Sequence, residues 1–67
     1  MTFFLYKSPK NNQWYWRLTA ENNLTIANGG EGYHNKADAF HAITLVQKNA
    51  ATTPIFDSSL SNFIFPQ

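Results

Sequence analysis

Between Gln13 and Ala20 apolar and polar side chains alternate, with Trp14, Trp16 and Leu18 on one parity and Tyr15, Arg17 and Thr19 on the other. A repeat of two puts successive side chains on opposite sides of an extended chain, so the segment predicts a half-buried strand. Ahead of it, Thr2–Lys7 (TFFLYK) is rich in aromatic residues and runs into SPKNN, where Ser8, Pro9, Asn11 and Asn12 are turn formers. Behind it, Glu21–Asn23 forms a short turn, because asparagine tolerates a positive φ better than other non-glycine residues. Leu24–Asn28 (LTIAN) then predicts a third strand, with Leu24 and Ile26 expected to point inward. Three strands joined by short turns imply an antiparallel meander.

The period changes after the glycine-rich stretch Gly29–Gly32. Ala39, Phe40, Ile43, Val46 and Ala50 recur at helical spacing, and Ala42 and Leu45 widen the stripe. Asn35 suits the N-cap, Asp38 the positive end of the helix dipole and Lys48 the negative end. The pattern predicts a helix over 36–49 that packs Phe40, Ile43 and Val46 onto Trp14, Trp16, Leu18 and Ile26. Pro54 prevents its continuation, and Ile55-Phe56 begins a short strand at a position where proline is tolerated. From Ser58 to Gln67 the chain is an apolar tail, which leaves a domain over 1–57 and an appendage over 58–67. Phe63 and Phe65 are expected to cover outward rings such as Phe4 and Tyr15, with a frayed tail as the simpler reading.

Size sharpens this picture. Sixty-seven residues make one domain, and a chain this short buries only roughly 60% of its unfolded surface. Chains of this size usually carry a staple. With no cysteine, disulfides and thiolate metal sites are excluded, which makes a partner subunit the leading candidate for the staple. Aromatic residues are 16% of the chain against 13% charged, more rings than a small monomer easily hides, so some are expected at an interface. A net charge of +1 is too weak for a binder of nucleic-acid backbone. The N-terminus lacks the basic region and cleavage site of a secretion signal, and no apolar run is long enough to span a membrane. A cytoplasmic location is expected, and the glycosylation triplet Asn23-Leu24-Thr25 is read as chance.

Several pieces form a combined pattern: WYWRLT, the A-x-N turn, the strand with Ile26-Ala27, Gly30-Glu31-Gly32-Tyr33, Lys36 at the helix start, and a helix ending V-x-K-N-A. With FLYK before it and TPIFD after it, the pattern resembles the YegP-like family of small bacterial and archaeal domains of unknown function over roughly residues 3 to 57. The resemblance implies an α+β fold built on a β-β-β-α-β unit, occurring in tandem or as a homodimer in which two units share one sheet and swap their C-terminal strands. A single-unit chain resembles the homodimeric kind, which places Ile55 and Phe56 at the dimer interface. No catalytic residue and no cofactor follow from the family. The sequence departs from the pattern at Asn22-Asn23, where Asn-Gly is typical, and at Phe4, where a polar residue is usual and which is expected to point away from the helix.

Four constellations bear on chemistry. Gly30-Glu31-Gly32 lacks the last glycine of a dinucleotide fingerprint, follows a meander and carries an acid where phosphate would sit. The glycines are therefore read as serving positive φ or close backbone approach. His34, Asp38 and His41 would suit a divalent metal by type, but read more simply as solvated residues, and no metal site is assigned. Ser8, Ser58, Ser59 and Ser61 all fall in turns or the tail, without the elbow that exposes a nucleophile. Tyr15 and Arg17, with Tyr6 and Lys7 nearby, interleave aromatic and basic groups as single-strand binders do, against the simpler reading of cross-strand pairs. The expectation is a non-enzymatic binding or accessory module acting through Glu31, Tyr33 and Lys36. Weak nucleic-acid binding through Tyr15 and Arg17 is the alternative.

Overall fold

A computed structural model describes residues 1–65, so Pro66 and Gln67 at the end of the tail lie outside the described residues. The chain is α+β, with strands β1 (Thr2–Lys7), β2 (Trp14–Thr19) and β3 (Thr25–Asn28), helix α1 (Lys36–Asn49), and strands β4 (Ile55–Asp57) and β5 (Asn62–Ile64). The first three strands form an antiparallel sheet in the order β1-β2-β3. The helix bounds are those the periodicity predicts. Asn35 takes the N-cap position, but its side-chain amide donates to Asp38 at 3.4 Å instead of capping a backbone N–H.

The β2–β3 turn is a three-residue loop. The Ala20 amide donates to the Leu24 carbonyl at 2.9 Å, the Asn23 amide donates to the Ala20 carbonyl at 3.0 Å, and Asn23 sits at φ 68°. This is a tight turn closed by one left-handed residue, a conformation open to glycine and asparagine. Asn23→Gly is therefore expected to leave the melting temperature unchanged or raise it. Asn23→Val should cost about 1–2 kcal/mol, the order of the penalty a Cβ meets in the left-handed region, read from a thermal melt.

The core lies between α1 and the sheet face that carries Trp14, Trp16 and Leu18. Trp16 is 8% exposed, Ala39 and Ile43 are buried on the helix, and the Phe3 ring lies 5.8 Å from that of Trp16. Three residues expected to face inward are not in the core. Ile26 is 54% exposed and Leu24 is exposed as well. The register explains it: Leu18 pairs with Ala27 and Thr19 with Thr25, so Ile26 is the extra residue of a β-bulge. Ala27, half-buried, takes the place opposite Leu18. Phe40 is 61% exposed. The helix contacts β1 and β2 and buries the line Ala39–Ile43, with Val46 half-buried, from which Phe40 is turned by about 100°.

Within the tail, Asn62–Ile64 forms strand β5. Asp57 opens the β4–β5 turn, accepting from the Ser59 hydroxyl at 2.6 Å and the Ser59 amide at 2.9 Å, and these bonds hold its carboxyl below the ordinary aspartate value. Ser61 closes the turn at φ 50°. Ile55 pairs with Ile64 and Phe56 with Phe63. Phe63 packs edge-on against Phe56 at 5.1 Å and lies 6.4 Å from Phe65, so its ring neighbours are within the hairpin and not Phe4 or Tyr15. Among the described residues no hairpin strand comes within 8 Å, Cα to Cα, of the sheet strands or the helix.

Candidate functional site

The glycine stretch is an excursion in the edge of the sheet. Gly29 donates to the Trp16 carbonyl at 3.1 Å. Tyr33 exchanges two hydrogen bonds with Trp14, at 2.7 and 2.9 Å. Between these anchors Gly30, Glu31 and Gly32 stand opposite Tyr15 alone, so the chain bows outward and returns before entering α1. None of the glycines has a positive φ. Close approach is the reason at two of them: a Cβ on Gly29 would lie 2.5 Å from the Trp16 indole nitrogen, and one on Gly32 would meet Gln13 and the Tyr15 ring end. Among the described residues nothing lies near Gly30. With the flanking amides of Gly29 and Tyr33 spent on β2 carbonyls, the stretch is built as a crossover and not as a phosphate cradle.

The crossover sets Tyr33 beside the helix, where an open depression of about 330 Å³ is lined by Tyr33, Asp38, His41, Ala42 and Leu45. A second, of about 590 Å³, runs from Leu45 and Val46 to Pro54 and Ile55. The two share Leu45, and the first of them, a shallow groove beside Tyr33, is the one that bears on the expected site. Of the residues expected at the site, Tyr33 lines the groove. Lys36 instead places its ammonium 5.5 Å from the Trp14 ring centre, a cation–π contact over the core face. Glu31 is exposed on the excursion. Ala42 and Leu45 are groove residues that the periodicity assigns to the helix stripe. Their position on the edge of that stripe, next to Asp38 and His41, is the signal that they border solvent.

His34, Asp38 and His41 do not converge. Among the described residues no three His, Asp or Glu side chains are placed to hold a metal ion, and no helix is long and apolar enough to cross a membrane.

The sheet face away from the helix carries Phe4, Tyr6, Tyr15 and Arg17. Tyr6 and Tyr15 stack with centroids 6.0 Å apart, and the Arg17 guanidinium lies 5.1 Å from the Phe4 ring centre. Asn11 donates to the Tyr15 hydroxyl at 2.8 Å. These are directly opposed positions, Tyr6 with Tyr15 and Phe4 with Arg17, so each ring or cation already has a cross-strand partner. Lys7 stands opposite Trp14, and its parity sets it on the helix side, away from this group.

Residues 10–57 match a family described as a domain of unknown function (DUF1508). A UPF0339 protein of Neisseria meningitidis serogroup B is 42% identical over 55 residues, 82% of this chain and 95% of its own length. One from serogroup A has the same identity and coverage. The solution structure of a protein from Haloferax volcanii superposes with a TM-score of 0.76 at 28% identity, covering 85% of this chain and 93% of that one.

Proposed function

The chain belongs to the DUF1508 family, the YegP-like group of small domains of unknown function, and from that premise we propose that it is a non-catalytic binding or accessory module that works as a strand-exchanged homodimer. The observation that carries this reading is surface. A compact monomer of 7.7 kDa exposes about 4,300 Å², whereas this chain exposes 5457 Å². The excess, roughly 1,100 Å², exceeds the ~800 Å² that each partner contributes to a standard interface. Shape agrees: the radius of gyration is 14.2 Å, where about 11 Å is usual for this length. Exposed large apolar side chains cluster on the hairpin, where Ile55 is 64% and Phe56 54% exposed beside exposed Leu60, Phe63 and Ile64. A lone two-stranded hairpin is marginal in water, and a second copy that takes it up would remove both defects.

Multi-angle light scattering at micromolar concentration is expected to return twice the chain mass, with a melting temperature that rises with concentration as dissociation is suppressed. A single-chain mass with the fold intact would remove the reading. Binding of single-stranded nucleic acid through Tyr15 and Arg17 finds less support, since both groups are engaged in cross-strand pairs. That alternative predicts an affinity falling steeply with salt.

A further inference from the structure

Asn28 is the one asparagine in the chain that glycine follows. That pair is chemically reactive, because a glycine has no side chain to shield its backbone nitrogen. Once deprotonated, the Gly29 nitrogen can attack Cγ of the Asn28 side chain. The bond from Cγ to the side-chain nitrogen breaks, ammonia leaves, and a five-membered succinimide remains. Water then opens the ring. Opening at Cγ leaves aspartate. Opening at the backbone carbonyl leaves iso-aspartate, in which the main chain runs through Cβ and Cγ.

The fold stands in the way of this reaction. Asn28 is the last residue of β3. An antiparallel strand holds ψ near about +135°, and ring closure needs ψ turned to the negative side. The Gly29 N–H, which must lose its proton before it attacks, donates to the Trp16 carbonyl at 3.1 Å. Gly29 is also held against the Trp16 indole, where there is no room even for a Cβ. The block itself is short. Among the described residues β3 is an edge strand, and the regular pairing around Asn28 ends at the Ile26 bulge on one side and at the 30–32 excursion on the other. Such segments open locally, at a free energy well below that of global unfolding.

We propose that Asn28 is a deamidation site gated by opening of the junction between β3 and the crossover, so that the junction keeps a covalent record of its own opening. The two products fare differently when the strand recloses. Asn28 stands opposite Arg17. The bond from Gly29 to Trp16 falls on the next pair, so Arg17 and Asn28 form a pair of the non-hydrogen-bonded kind, in which side chains lie closest. An aspartate at this position meets the guanidinium and strengthens the pair. Iso-aspartate lengthens the main chain by one atom. Either position 28 then loses its place opposite Arg17, or Gly29 loses its bond to Trp16.

The wild-type chain, held in mildly alkaline buffer with and without guanidinium chloride, tests this. Mass spectrometry of the tryptic peptide 18–36, with fragmentation that separates the two products, follows the conversion. In denaturant Asn28 is expected to convert ahead of Asn22, Asn23 and Asn35, which share that peptide. In the folded protein its conversion should slow at least ~10-fold, in step with the hydrogen-exchange protection of the Gly29 amide. Asn28→Asp should raise the melting temperature, and high salt should erase the gain. Conversion of Asn28 at one rate in both conditions, or slowing unrelated to Gly29 exchange, would overturn the gating. An Asn28→Asp variant that melts at or below wild type in low salt would overturn the pairing of the aspartate product with Arg17.

Discussion

Trp16→Ala is expected to abolish the cooperative thermal transition. A domain of 67 residues has a total stability of about 3–10 kcal/mol at the usual per-residue values. Truncating a buried tryptophan removes about 3–5 kcal/mol, through lost transfer energy and the cavity left behind. The loss is set at the upper end by what surrounds the ring. Among the described residues Trp16 is the one aromatic side chain that is buried, it meets Phe3 at 5.8 Å, and Gly29 is pressed against its indole. The remaining buried apolar residues, Ala39 and Ile43, are smaller and sit on the facing helix, so nothing can collapse into the space. Circular dichroism against temperature measures this. A variant that still melts within a few degrees of wild type would show that the core does not depend on Trp16. Phe40→Ala is the contrasting case: in dilute monomer an exposed ring should cost within about 0.5 kcal/mol.

The difference between those two aromatic residues marks where the sequence is legible. Strand β2 and helix α1 are readable because each carries enough residues for its period to show, and the turn at Asn23 because few residues accept its backbone angles. The inward face of β2 follows from parity alone. That of Ile26 does not, because a single inserted residue resets the parity of the rest of the strand, and a bulge leaves no mark in a four-residue strand. Phe40 departs from expectation for another reason. The apolar stripe on α1 is broader than the part of the sheet the helix covers, and sequence records the width of a stripe but not the extent of its cover. Strand β5 escapes sequence reading because three residues are too few for an alternation. The Asp57-Ser58-Ser59 run, now seen as the turn, is its one local sign. At the candidate site, Tyr33 is recognisable through the company it keeps in the crossover. The groove beside it depends on Ala42 and Leu45, whose exposure is decided by how α1 lies on the sheet.

Gly29 and Gly30 are neighbours that should respond oppositely to the same substitution, and the pair tests why the crossover needs glycine. Neither has a positive φ, so an added methyl meets no backbone penalty of the left-handed kind at either position. At Gly29 a Cβ would lie 2.5 Å from the Trp16 indole nitrogen and 3.0 Å from two ring carbons. That ring is buried and wedged against Phe3, so it cannot swing aside, and Gly29→Ala should cost about 1–3 kcal/mol as overpacking. The strain would also pull at the hydrogen bond from Gly29 to the Trp16 carbonyl, which anchors the crossover to β2. At Gly30 the new methyl enters open space. Gly30→Ala should be neutral or stabilise by about 0.4–1 kcal/mol, because alanine has fewer unfolded conformations to lose. Chemical denaturation of the two variants side by side measures the contrast. If both lose stability equally, close approach to Trp16 is not what Gly29 supplies, and the crossover requires glycine for its backbone after all.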